Sequence, residues 1–124
     1  MKFFINRTTK EIIEVVLGND TTFTSEGSEM VELKANSTDA AGEKHVPVMT
    51  VEGNTVHVVV GSVLHPMTEE HSIQFIALET KQGVQRKALL PTDQPIADFV
   101  LAEGDEVVAA YEYCNLHGLW KVEA

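Results

Sequence analysis

Alternation of apolar and polar residues predicts β-strands along most of the chain beyond residue 47. In the segment 55–60, valines at every second position alternate with Thr55, His57 and Val59, a pattern typical of a strand with one buried face. Further strands are predicted over 48–51, 72–78, 84–90, 96–101 and 105–113, with turn-forming residues between them. Short strands at regular spacing, with no convincing helix, predict an all-β fold with an Ig-like antiparallel β-sandwich.

The segment 1–36 has a weaker pattern of its own. Strand-like runs at 11–16 and 28–33 predict a small β-hairpin segment, and the small, polar residues 35–41 predict a linker. A chain below about 40 residues usually needs a metal, disulfides or a partner surface to stay folded. This segment contains neither cysteine nor histidine. We therefore expect it to rest on the main domain, residues 37–124, or on a second copy of the chain, which predicts a homodimer.

Composition excludes several classes of function. The net charge of −10 makes binding to nucleic acid unexpected, because phosphate contacts need a surplus of Lys and Arg. No apolar run approaches the roughly 20 residues of a membrane span, so no membrane partner is expected. The start of the chain does not resemble a signal peptide. A single cysteine excludes an internal disulfide, and we expect a cytoplasmic, reduced protein.

That cysteine carries the candidate chemistry. Cys114 ends the predicted strand 105–113, and His117 follows in a Cys-x-x-His arrangement that can present a thiolate and an imidazole to one metal. Three further histidines fall at predicted loops or strand ends, whereas His57 falls on the polar side of a strand and is not expected to be a ligand. Four imidazoles with one thiolate suit iron, copper, nickel or zinc rather than magnesium or calcium. Spacing alone leaves open the alternative of surface histidines and a buried, non-ligating cysteine.

Three separated stretches of the chain form a recognisable set. They are Glu-Lys-His-Val-Pro at 43–47, Val-Gly-Ser-Val-Leu-His-Pro-Met-Thr-Glu-Glu-His at 60–71, and Tyr-Glu-Tyr-Cys-Asn-Leu-His-Gly-Leu-Trp at 111–120. In their sequence, order and spacing they resemble the superoxide reductase family of desulfoferrodoxins and neelaredoxins. The resemblance implies one mononuclear non-haem iron per chain, Fe(II) when active and Fe(III) when resting. The implied ligands are His45, His65, His71, Cys114 and His117.

The resemblance also implies an activity, the one-electron reduction of superoxide to hydrogen peroxide. Lys44 would attract superoxide, and Glu43 would bind the open iron position in the oxidised resting state. The implied electron donor is rubredoxin or a similar small iron protein. The resemblance also implies a homodimer, as the small N-terminal segment does.

The N-terminal segment resembles the small desulforedoxin-like domain of some family members, which binds a second iron through four cysteines. The corresponding positions here are Asn6, Thr9, Ser25 and Glu26. None is a thiolate, so no second iron site is expected.

Two other classes of function compete with this interpretation. A cupredoxin-like electron carrier would also combine a β-sandwich with Cys and His near its C-terminus, but no methionine follows His117 and a blue-copper site does not use four histidines. A structural zinc site in a binding module would need only four ligands and no Glu43-Lys44 pair. Metal content and visible colour separate the three.

Overall fold

The computed structural model describes residues 1–124 and divides into two compact units. The N-terminal unit comprises Met1–Lys34 and the sandwich unit Ala35–Ala124. Nearly all regular structure is β, and no helix has the length and apolarity needed to cross a membrane.

The N-terminal unit contains a three-stranded antiparallel sheet and a hairpin. The sheet has the order β2-β1-β5, and the hairpin pairs β3 with β4. The bounds are β1 Phe3–Ile5, β2 Ile12–Glu14, β3 Thr24–Ser25, β4 Ser28–Glu29 and β5 Val31–Leu33. All three residues of the central strand β1 are buried, so it lacks the alternation by which a strand is recognised. The predicted strand 28–33 is divided at the buried Met30 into β4 and β5.

The sandwich unit is built from two antiparallel sheets, with strand orders β10-β7-β6 and β12-β11-β8-β9. The strands are β6 Pro47–Glu52, β7 Thr55–Val60, β8 Ile73–Thr80, β9 Val84–Ala88, β10 Ile96–Val100, β11 Val107–Cys114 and β12 Gly118–Glu123. Inward-facing residues of both sheets form one apolar core, including Val58 of β7, Phe99 of β10, Ile76 of β8 and Ala110 of β11. The predicted antiparallel β-sandwich is confirmed.

The expectation of no helix is wrong at one place. Helix α1, Gly42–His45, is a single turn in which the Val46 N–H donates to the Gly42 carbonyl at 2.8 Å. It ends because Pro47 favours an extended conformation at Val46, where ψ is 122°. A Cβ added at Gly61 would lie 2.7 Å from the Glu43 carbonyl oxygen, so only glycine lets α1 pack this close to the end of β7.

Candidate metal centre

Four side chains from separate parts of the sandwich unit converge on one point. His45 ends α1, His65 lies in the loop after β7, His71 lies just before β8, and Cys114 ends β11. One ligand atom from each lies within 4.8 Å of the others. The three imidazoles and one thiolate therefore form a compact group with the donor types that transition metals prefer.

Backbone carbonyls fix the orientation of two of these imidazoles. Nδ1 of His45 lies 2.8 Å from the Ala41 carbonyl oxygen, and Nδ1 of His65 lies 2.6 Å from that of Pro66. Each Nδ1–H donates to its carbonyl, so each neutral ring keeps its Nε2 lone pair free. Nε2 of His65 points at Cys114, 3.6 Å from Sγ. A hydrogen bond from the ring nitrogen that does not bind the metal, like these bonds from Nδ1 to a carbonyl, usually orients a metal-binding histidine.

The third imidazole shows why a metal fits. Nε2 of His71 is buried and has no hydrogen-bond partner. Leaving a buried polar atom unpaired costs about 1–3 kcal/mol, and coordination to a metal would remove that cost. The chemistry of the donor set and this orphaned nitrogen agree on a metal centre.

His117 borders the same group through its other ring nitrogen. Its Nδ1 lies 3.1 Å from Nε2 of His45 and 4.0 Å from Sγ of Cys114. Its ring centroid lies 4.8 Å from that of His45, with the two planes nearly perpendicular, and 5.2 Å from that of His71. All five residues expected from the sequence are thus gathered at one end of the sandwich unit.

Burial prepares these side chains for metal binding. Desolvation lowers the pKa of His45 and His71 and lowers that of His65 to about 4, so all three are neutral near pH 7. Desolvation also raises the pKa of the Cys114 thiol, while backbone hydrogen bonds from Leu116 and His117 act in the opposite direction. Metal binding would therefore release the thiol proton.

Two charged residues of α1 lie near the group. Glu43 and Lys44 are both exposed. The Lys44 charge helps to lower the pKa of both His45 and His71, whereas the Glu43 charge acts in the raising direction on His45. His57 is not part of the group, since it lies on the exposed side of β7 with its Nδ1 2.5 Å from Oδ1 of Asp98.

Comparison with known proteins shows the family. The model of the family described as Desulfoferrodoxin matches residues 37–123. The chain belongs to the desulfoferrodoxin family. A desulfoferrodoxin of Clostridium acetobutylicum is 39% identical, over 99% of this chain and 96% of its own length. The crystal structure of the superoxide reductase from Treponema pallidum superposes with a TM-score of 0.85 and 37% identity, covering 98% of both chains. A superoxide reductase (1Fe-SOR) from Giardia intestinalis, 36% identical, matches with a TM-score of 0.57 over 66% of this chain and 99% of its own.

In a desulfoferrodoxin the His3Cys group is a candidate iron site, and residues to which the sequence alone assigned no role lie next to it. The Trp120 ring centroid lies 5.1 Å from that of His45, and its Nε1–H donates to the His117 carbonyl at 3.0 Å. The Asn115 side chain bonds to the main chain on both sides of His71. Both residues lie in the stretch 111–120 that carries the family resemblance, but the sequence alone assigned no role to either side chain.

Glu112 is the third residue of this kind. It shares the inward face of β11 with Cys114, is fully buried, and neither carboxylate oxygen has a hydrogen-bond partner. Desolvation raises its pKa well above the ordinary value, so burial favours the neutral acid over the carboxylate. Strand alternation places Glu112 inward, but it does not distinguish an acid buried without a partner from one that is paired.

Proposed function

We propose that this protein is a superoxide reductase that reduces superoxide to hydrogen peroxide at one mononuclear iron. The reaction joins one superoxide, one electron and two protons to give one hydrogen peroxide. The observation that carries the proposal is the convergence of His45, His65, His71 and Cys114 within 4.8 Å in a chain of the desulfoferrodoxin family. Relatives with the same overall structure bear the name superoxide reductase.

The proposed ligands are five. His45, His65 and His71 would each offer Nε2, because two of their Nδ1 atoms are engaged with carbonyls and the Nε2 of His71 is buried without a partner. His117 would offer Nδ1, and Cys114 its sulfur. Iron held by these residues would supply the one-electron couple for the reaction, and five protein ligands would leave a place for superoxide to bind.

Lys44 and Glu43 are the proposed catalytic residues. The whole chain carries −10, so an anionic substrate needs a local positive charge to approach. Lys44 provides it from α1, next to His45, and would orient superoxide or a water that delivers a proton. The Glu43 carboxylate would be the ligand for the open iron position in the oxidised resting state.

The electron would come from a small one-electron carrier such as rubredoxin. Leu64 and Leu116 adjoin His65 and His117 in the chain and are 54% and 58% exposed. Apolar side chains next to the proposed ligands would give such a carrier a contact surface close to the iron. The free Cys114 suits a reducing, cytoplasmic setting.

A homodimer is proposed from the N-terminal unit. Val16 and Leu17 are 87% and 95% exposed, unusual for adjacent large apolar residues. A second copy of the chain that covered them would stabilise a unit of only 34 residues. This unit has no thiolate, so the proposed iron content is one per chain.

The test is metal analysis and visible spectroscopy of anaerobically purified protein, with superoxide consumption measured on the same samples. The expected result is one iron per chain, nearly colourless when reduced and blue when oxidised through thiolate bound to Fe(III). Bound zinc, with no colour change and no superoxide consumption after iron is restored, would indicate a structural site instead. An intensely coloured copper protein would indicate an electron carrier.

A further inference from the structure

Asn115 connects the turn that carries Cys114 to the loop that carries His71. Its Oδ1 accepts from the Ser72 N–H at 2.9 Å, and its Nδ2 donates to the Glu70 carbonyl at 2.9 Å. Its own N–H donates to the Ser72 carbonyl at 3.3 Å. The main chain on both sides of His71 is thus bonded to the one residue that follows Cys114.

His71 depends on such support more than the other imidazoles do. His45 and His65 are oriented by hydrogen bonds from their own rings to carbonyls. The hydrogen bonds of His71 are made by its main chain and not by its ring. Its N–H and its carbonyl both bond to Thr68. The turn from Thr68 to His71 lies outside any strand and is largely exposed, so bonds within it do not fix its place relative to Cys114.

We propose that Asn115 is the positioning residue for His71, which sets the distance between that imidazole and the Cys114 sulfur. The proposal rests on the ligand set proposed above. A rigid connection between two ligands lowers the cost of ordering the site when metal binds. Without the Asn115 side chain, only the main-chain bond from Asn115 to Ser72 and the pairing of Ile73 with Cys114 would hold this segment, and the turn at Glu70 and His71 would be ordered in part by the metal itself.

The test compares Asn115→Ala with a matched control, Asn36→Gly. Asn36 makes the same three kinds of bond to β12: its Oδ1 accepts from the Lys121 N–H, its Nδ2 donates to the Lys121 carbonyl, and its N–H donates to the Leu119 carbonyl. Glycine suits its φ of 60°. Because β12 is already paired along its length with β11, loss of the two Asn36 side-chain bonds leaves β12 in place.

The probe is Co²⁺ added to the metal-free full chain, because its visible spectrum reports both affinity and coordination geometry. We expect Asn115→Ala to bind Co²⁺ about 10–100-fold more weakly than the unmodified chain, with an altered spectrum. Asn36→Gly should retain the Co²⁺ affinity and the Co²⁺ spectrum of the unmodified chain. The melting temperature of its metal-free form should fall by about as much as that of Asn115→Ala. Unchanged affinity in Asn115→Ala, or an equal loss in both variants, would overturn the proposal.

A second variant covers the case in which Asn115→Ala does not fold. Asn115→Asp keeps the shape and the acceptor for Ser72 but loses the donor to Glu70. Its added negative charge would by itself strengthen cation binding, so weaker Co²⁺ binding or an altered Co²⁺ spectrum supports the positioning role. Binding at least as tight as in the unmodified chain, with an unaltered spectrum, overturns it. Cobalt affinity does not depend on turnover. A chain that failed to consume superoxide would refute the proposed function without deciding the role of Asn115.

Discussion

The Trp120 indole lies against the His45 imidazole, with ring centroids 5.1 Å apart and planes at 30°. The same indole donates through Nε1 to the His117 carbonyl. One buried side chain thus supports two proposed ligands from opposite ends of the sandwich unit's sequence, one through its ring face and one through the main chain.

Trp120→Phe is expected to keep the ring packing and lose the hydrogen bond. The free energy of unfolding should fall by about 1–3 kcal/mol, because the His117 carbonyl loses its donor and the smaller ring leaves space. Chemical denaturation of the metal-free protein measures this. The visible band of the oxidised iron form should shift if the His117 main chain moves. An unshifted band together with unchanged stability would show that the indole N–H has no role.

Lys44→Ala should slow the reaction with superoxide. The rate of the unmodified chain should fall as salt rises, because the positive charge at the site outweighs the distant −10, and the variant should be about tenfold slower at low salt with a weaker salt dependence. Pulse radiolysis measures both rates. Lys81→Ala is the control: Lys81 follows the far end of β8, and its side chain makes an exposed ion pair with Glu106. A rate that rises with salt would contradict the electrostatic account.

Metal-free protein should become less stable in acid because of the buried histidines. The pKa of His65 is about 4 in the fold against 6.5 for the ordinary group, so the unfolded chain binds more protons between these values. Stability from His65 is therefore full above pH 6.5 and falls by up to about 1.4 kcal/mol per unit as the pH drops to 4. His65→Gln should remove the share of the slope that comes from His65 and leave the share of His45 and His71, as denaturation at several pH values would show.

Glu112 should make the metal-free protein less stable as the pH rises, which is the opposite of the effect of His65. Burial raises its pKa, so the folded state binds the extra proton and stability from this group falls as the pH rises above the ordinary 4.5. Metal-free Glu112→Gln should therefore gain stability over the unmodified chain as the pH increases from 5 to 8. A difference that stays constant over this range would mean that Glu112 is ionised in the fold.

Gly61→Ala should displace α1. The new Cβ would lie 2.7 Å from the Glu43 carbonyl oxygen and 2.9 Å from that of Val46, both main-chain atoms that cannot rotate away. We expect a loss of about 1–3 kcal/mol in stability and weaker metal binding through His45. Gly42→Ala, in the same helix with nothing within 4 Å of the added Cβ, should be neutral or stabilising. Equal behaviour of the two variants would contradict the packing argument.

Alternation predicted β7 over its observed bounds and β10 to within one residue, because each of these strands has one buried and one exposed face. It did not reveal β1, whose residues are all buried, or β12, where Leu119 and Trp120 are buried side by side. Helix α1 has too few residues to show a helical period and depends on the close approach of Gly61. Local pattern cannot report such tertiary contacts.

The same limit applies to the site. The Cys-x-x-His spacing pointed to Cys114 and His117, whereas spacing alone could not assign His45 to the same point, and the family resemblance was needed. The ring nitrogen that each histidine directs inward depends on carbonyls at Ala41 and Pro66, which only the folded chain identifies. The isolation of the Glu112 carboxyl likewise follows from packing.

His45 and His117 are 72 positions apart in the chain, yet their ring nitrogens lie 3.1 Å from each other. An ion bound to both would act as a cross-link that closes most of the sandwich unit into a loop, and a covalent link across a loop of that order stabilises a fold by about 4 kcal/mol. Chain without metal would unfold more often and be degraded sooner. Iron supply would then set how long each copy survives in the cell, as well as how many copies are active.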